Sequence, residues 1–187
     1  MQAKHLVWIL VVCLCMSACT LFDDDDDDDT GNGGSQFTAG FVPQTTSPEA
    51  LSVYTLQYSA EGATVTVGVY AQDLADAYGL SFTLVWNPLL FQYMSAAEGS
   101  FLSTGGTATT FLTSLENGQQ GRLVVGISRL GQVAGATGSG LVCTVTFQAV
   151  GTGETGLSYE QAFVLDSLGN ALGISNWYGG TLFSVAQ

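Results

Sequence analysis

From about residue 50 onward, apolar and polar positions alternate along the chain with a period of two. Val65, Val67 and Val69 alternate with Thr64, Thr66 and Gly68; Leu80, Phe82, Leu84 and Trp86 alternate with Ser81, Thr83 and Val85. Successive side chains of a strand point to opposite faces, so this period marks half-buried strands and places Trp86 in the core with Phe82 and Leu84. Asn87-Pro88 ends the second run, since proline cannot donate to a ladder. Further strands are expected over 51–59, 89–94, 109–115, 123–128, 141–150, 156–165, 171–174 and 181–185. Turn sequences separate them: Glu61-Gly62, Glu116-Asn117-Gly118, Gly151-Thr152-Gly153 and Ser167-Leu168-Gly169-Asn170. No stretch sustains a helical period with caps. Roughly nine short strands with regular turns predict an all-β fold, an antiparallel β-sandwich in a single domain. The Gly-rich stretch 135–140 lacks the strand-to-helix setting of a phosphate loop and reads as a flexible hairpin connection.

Charge and composition narrow the function classes. The chain of 187 residues holds 16 acids, three Lys or Arg and one His, and beyond Lys4 and His5 the cations are Arg122 and Arg129 alone. A nucleic-acid partner needs a basic stripe to neutralise phosphates, and a polybasic lipid patch needs clustered Lys and Arg; both are excluded. Without a His or Lys after residue 5, a Ser/His/Asp triad, a His-based zinc site and a Schiff base lack their parts. Outside the run at 23–29 the acids are Glu49, Glu61, Asp73, Asp76, Glu98, Glu116, Glu154, Glu160 and Asp166, mostly in or beside turns. A glycosidase needs two inward carboxylates across a cleft, and this distribution does not supply them. The reading is a non-enzyme, with no catalytic residue, metal site or cofactor assigned. Arg122 and Arg129 flank the 123–128 strand and are expected to balance nearby carboxylates.

The first 19 residues read as an export address. Lys4 and His5 precede ten apolar residues at 6–15, too few for a span of about 20. Met16-Ser17-Ala18-Cys19 resembles the lipobox of bacterial lipoproteins, which implies a signal peptide over 1–18 and a lipid anchor on Cys19. That implies a bacterial cell-envelope protein, in the outer membrane or at the cell surface. Cys13 and Cys15 leave with the signal and Cys19 carries lipid, so Cys143 has no intrachain disulfide partner and reads as a small core residue. The seven consecutive Asp at 23–29, followed by Gly- and Ser-rich sequence, read as a self-repelling tether; residues 19–49 are assigned to it and 50–187 to the sandwich. The Asp run serves as a solvated spacer, or as a surface-sorting signal like the acidic stretch after the Cys in some bacterial lipoproteins. As a calcium site it is weak, because consecutive carboxylates without a turn make no cage.

Trp177-Tyr178, ahead of Gly179-Gly180, is a candidate stacking platform for a sugar ring; strand-start packing is the alternative.

The body resembles the cohesin family. Thr64 to Val69 precedes a loop and then Gly79-Leu80-Ser81-Phe82-Thr83-Leu84-Val85-Trp86-Asn87-Pro88, which looks like the cohesin strand ending in an aromatic–Asp/Asn–Pro turn. Residues 140–150 look like the family's Gly, small-apolar, Phe strand, and 157–169 like the strand and Asp/Gly turn after it. The resemblance implies a nine-stranded jelly roll related to carbohydrate-binding modules, acting as a non-catalytic protein–protein interaction module for a dockerin-like or other protein partner. It also implies a link to polysaccharide breakdown, with polysaccharide binding at the envelope as the alternative. The candidate partner-binding face is Ser81, Thr83, Val85 and the adjacent strands. Gly79 and Ser81 stand where dockerin-binding members of one class show Asn and Asp.

Overall fold

The computed structural model describes residues 36–187, so the export segment, Cys19 and the Asp run lie outside the described residues. Two β-sheets face each other across one apolar core. The six-stranded sheet runs β1 (Phe37–Pro43), β11 (Gly180–Ala186), β9 (Gly153–Leu165), β4 (Gly79–Val85), β7 (Arg122–Arg129), β6 (Thr109–Leu115). The five-stranded sheet runs β10 (Asn176–Tyr178), β2 (Ser52–Glu61), β3 (Thr64–Ala77), β8 (Ala136–Ala149), β5 (Phe91–Glu98). No α-helix occurs among the described residues.

The period-two pattern becomes the core directly. Val65, Val67 and Val69 of β3 pair with Phe147, Val145 and Cys143 of β8, all of them buried. Leu80, Phe82 and Leu84 of β4 pair with Ile127, Val125 and Leu123 of β7, and this second set faces the β3 and β8 side chains across the sandwich. Trp86 closes one end: its Nε1–H donates to the Phe91 carbonyl at 2.7 Å, and its ring meets Phe147 edge-on at 5.0 Å. The indole thus keeps a partner while its apolar body is buried. Asn87 turns the chain after it, its side-chain oxygen accepting the Leu89 N–H at 3.0 Å. Cys143 is free and fully buried, and burial pushes its thiol up to about 12, so it is inert packing as its alternating context implies.

Four expectations are corrected. The first concerns the tether, because β1 lies within the segment assigned to it and pairs antiparallel with β11 over seven positions, from Phe37↔Ala186 to Pro43↔Gly180. Ala39 and Phe41 are buried, and the Phe183 ring lies over Gly40, where a Cβ would sit 2.3 Å from it. The sandwich therefore begins before residue 50. This short Thr/Gly/Pro-containing strand is defined by its partner rather than by its own pattern.

Next, residues 171–174 form no strand, only an isolated bridge between Leu165 and Ala171. The strand falls later, at β10, and runs parallel to β2, so the sandwich is not wholly antiparallel.

Third, the 135–140 stretch is mostly ladder, with β8 starting at Ala136 against an extended β3. Asp73 and Asp76 of β3 adopt φ of 49° and 55° there, and the register shifts around them. Their displaced N–H groups are taken by hydroxyls of β8, Ser139 at 2.8 Å and Thr137 at 3.1 Å. The Asp76 carboxylate in turn accepts the Gly135 N–H at 2.6 Å. Hydroxyl side chains replace the missing ladder bonds, which keeps an irregular pair of strands from fraying.

Arg129 supplies the last correction, since it balances no carboxylate. It is 7 % exposed, and its guanidinium donates to the Leu102 carbonyl at 2.8 Å, the Thr104 carbonyl at 3.3 Å and the Thr107 hydroxyl. It ties the loop between β5 and β6 to the end of β7.

Candidate functional site

The outer face of β9, β4, β7 and β6 is the surface that the sequence-predicted residues share. Ladder register fixes its rows: Ser81 lies between Phe163 of β9 and Gly126 of β7, and Leu112 of β6 lies beyond Gly126. Thr83 lies between Glu160 and Val124, and Val85 between Ser158 and Arg122. All three candidates thus occupy outward positions of one central strand, but they are unequal. Ser81 and Val85 are half-buried, while Thr83 is only 2 % exposed, so it supports its neighbours rather than offering a contact surface. A short side chain on a central strand is overshadowed by the longer side chains on each side.

What the face presents comes from the flanking strands. Leu112 is 67 % exposed and Phe163 is 45 % exposed, with Val124 beside them. Leu112 and Phe163 border a shallow depression of about 270 Å³ floored by small residues, Gly79 and Gly126 among them. Exposed apolar groups gathered in one place on a soluble fold mark an interaction surface, whereas scattered ones do not. A signal for these residues was present in the sequence. Phe111-Leu112, Val124-Val125 and Phe163-Val164 are consecutive apolar pairs, and a strand that is apolar on both faces shows one of them to solvent.

Charge on this face is concentrated at one rim. Arg122 donates to Glu160 at 2.8 Å and to Glu116, bridging β7, β9 and the turn after β6. Those carboxylates raise its already high pKa, Glu160 first and Glu116 second. Arg122 therefore meets the expectation for both arginines that Arg129 does not. A half-exposed ion network of this kind adds little stability, but it fixes where charge lies on the surface.

The sugar platform expected at Trp177 and Tyr178 does not form as a pair. Successive residues of β10 point to opposite faces, and Trp177, in register with buried Val53, turns inward. Its ring lies 5.9 Å from Phe82 and 5.3 Å from Tyr159, so it packs between the sheets. Tyr159 completes this cluster, 5.3 Å edge-on from Phe82, with its hydroxyl 2.5 Å from that of Thr55. Burial drives the Tyr159 phenol far above its ordinary pKa, so it remains a neutral hydrogen-bonding group. Tyr178 faces the other way.

Two packed sheets, a sparsely charged body and a flat apolar sheet face define a β-sandwich interaction domain. The model of the cohesin domain family matches residues 50–173, and the chain belongs to that family, whose members are non-catalytic interaction modules. Solved cohesins share its jelly-roll fold. A type II cohesin from Bacteroides cellulosolvens is 17 % identical, with a TM-score of 0.54 over 67 % of this chain and 93 % of that one. A non-cellulosomal cohesin from the hyperthermophilic archaeon Archaeoglobus fulgidus is also 17 % identical, with a TM-score of 0.52 over 64 % of this chain and 80 % of that one. The sixth cohesin of an Acetivibrio cellulolyticus scaffoldin, solved in complex with a dockerin, is 18 % identical, with a TM-score of 0.54 over 76 % and 96 %. No curated protein matches the chain.

Proposed function

We propose that this protein is a lipid-anchored lipoprotein of the bacterial cell envelope whose cohesin domain holds a dockerin-type protein on the outer face of β9, β4, β7 and β6. The observation that carries the reading is the apolar group Leu112, Val124 and Phe163 around Gly126, rimmed by the Arg122 ion pairs. A partner helix or loop with small apolar side chains fits such a depression, and the charged rim sets its orientation. The structural neighbours solved with dockerins support the partner class. The lipobox-like Met16-Ser17-Ala18-Cys19 supports the anchor, and the 23–29 Asp run supports a spacer between membrane and domain. Arrayed in this way, the domain would hold polysaccharide-degrading partners at the cell surface.

Gly126 gives a direct test, since a Cβ placed on it meets nothing within 4 Å. Gly126→Trp fills the depression. Against a panel of dockerin modules, the full chain bearing Cys19→Ala is expected to bind at least one, and Gly126→Trp to weaken that binding at least tenfold with an unchanged melting temperature. Failure of every dockerin to bind, or a Gly126→Trp variant that binds as well as the parent, would overturn the assignment. Fatty-acid labelling that persists in Cys19→Ala would overturn the anchor separately.

A further inference from the structure

The opposite face of the sandwich carries a second, chemically different surface. Ladder register puts Tyr178 of β10 beside Tyr54 of β2, and Tyr54 beside Tyr70 of β3, all three turned outward. The Tyr54 and Tyr70 rings are nearly parallel, at 24°, with centroids 5.5 Å apart. The Tyr70 ring lies back over Gly68, where a Cβ would meet it at 2.7 Å, so the glycine makes room for the ring. Tyr58, 58 % exposed, stands near enough to influence the Tyr70 phenol. Around these rings Leu56 of β2 and Leu141, the β8 partner of Tyr70, are half-buried, and the outward positions beyond them are hydroxyls and amides, including Thr66, whose hydroxyl bonds Thr146 at 2.9 Å, together with Thr144 and Gln148. The acids near this face, Glu49, Glu61 and Asp73, lie at its margins, Glu49 accepting from the Asn176 amide at 3.4 Å, and no Lys, Arg or His occurs on it among the described residues.

We propose that this face binds a neutral polysaccharide, with Tyr54, Tyr58, Tyr70 and Tyr178 as the stacking row. The charge pattern selects the ligand class. A surface without cations offers nothing to an anionic glycan or nucleic acid, and one without interior acids offers nothing to a basic peptide. Aromatic faces take the C–H surfaces of pyranose rings, and the surrounding hydroxyls and amides exchange hydrogen bonds with sugar hydroxyls. The row crosses three strands about 4.8 Å apart, a spacing comparable with the advance per sugar along an extended glycan. Three of the four tyrosines are half-buried and already held in place, so little side-chain entropy is lost on binding. Because the row lies on the other sheet from the dockerin face, the domain can hold glycan and protein together.

Retention of the full chain bearing Cys19→Ala on microcrystalline cellulose, insoluble xylan and chitin tests the proposal. At least one is expected to retain it. The double variant Tyr54→Ala/Tyr70→Ala should weaken retention at least tenfold, and Tyr58→Ala, at an exposed position that does not threaten folding, should weaken it severalfold. Tyr70→Phe should keep it, because the ring remains. Retention by none of the three, or retention indifferent to Tyr58→Ala and to the folded double variant, overturns the proposal. So does a tyrosine-dependent protein complex in place of glycan retention. Gly126→Trp should leave glycan retention unchanged, which separates failure here from failure of the dockerin assignment.

Discussion

Replacing Trp177 with alanine decides whether that residue belongs to the core or to a ligand platform. The ring touches Phe82 and Tyr159 at centroid distances of 5.9 and 5.3 Å and is partly buried between the sheets. A tryptophan buries about 150–250 Å². Taking roughly 150 Å² for a partly buried one, at about 25 cal/mol per Å², gives close to 4 kcal/mol as an upper figure. Measured Trp→Ala changes in cores cost about 3–5 kcal/mol, and partial exposure places this site near the bottom, at about 3 kcal/mol. For a body of about 150 residues that corresponds to a fall in Tm of about 6–12 °C. Trp177→Phe retains a ring against Phe82 and should lose about a third as much. Urea unfolding of the full chain followed by far-UV circular dichroism measures both, and an unchanged slope with a lower midpoint marks a change in stability alone. A Trp177→Ala loss below about 0.5 kcal/mol, the range of ordinary surface substitutions, would refute the inward placement of the ring.

Two other predictions concern the edges of the fold. A chain begun at residue 50 lacks β1, which uncovers the edge of β11 and removes buried Ala39 and Phe41. It should melt far below a chain begun at residue 36 or precipitate, and equal melting of the two would refute the membership of β1 in the sandwich. The second is a pH dependence. Hydrogen bonds from the Ser167 hydroxyl, then the Gly135 and Ser167 N–H groups, hold the Asp76 carboxyl below its ordinary pKa, and Asn170 does the same for Asp166. Groups depressed in the folded state stabilise it fully above the unfolded carboxylate pKa of about 3.9 and lose that contribution as pH falls through their folded values. Tm should therefore hold between pH 7 and 5 and fall below about pH 4, with a smaller fall in Asp76→Asn. Parallel acid profiles for the two proteins would remove Asp76 from the account.

The period-two alternation alone determined that this is an all-β sandwich and which side chains fill it. Val65, Val67, Val69, Phe82, Leu84 and Trp86 are buried where their spacing puts them, because the pleat of a strand is a local property of the backbone. The charge inventory likewise determined that no basic surface exists for nucleic acid. Strand neighbours and register were a different matter. β1 has no strong pattern of its own and becomes a strand only against β11, while β10 is held by β2 at a distance of more than 120 residues. The faces followed from those pairings. Register gathers Leu112, Val124 and Phe163 from three strands onto one sheet, and Tyr54, Tyr70 and Tyr178 from three others onto the opposite sheet. It also turns Trp177 inward and hides Thr83 under longer neighbours. An alternating strand tells which residues share a side; only the assembled sheets tell which strands lie next to it, and a binding surface several strands wide is built from that adjacency.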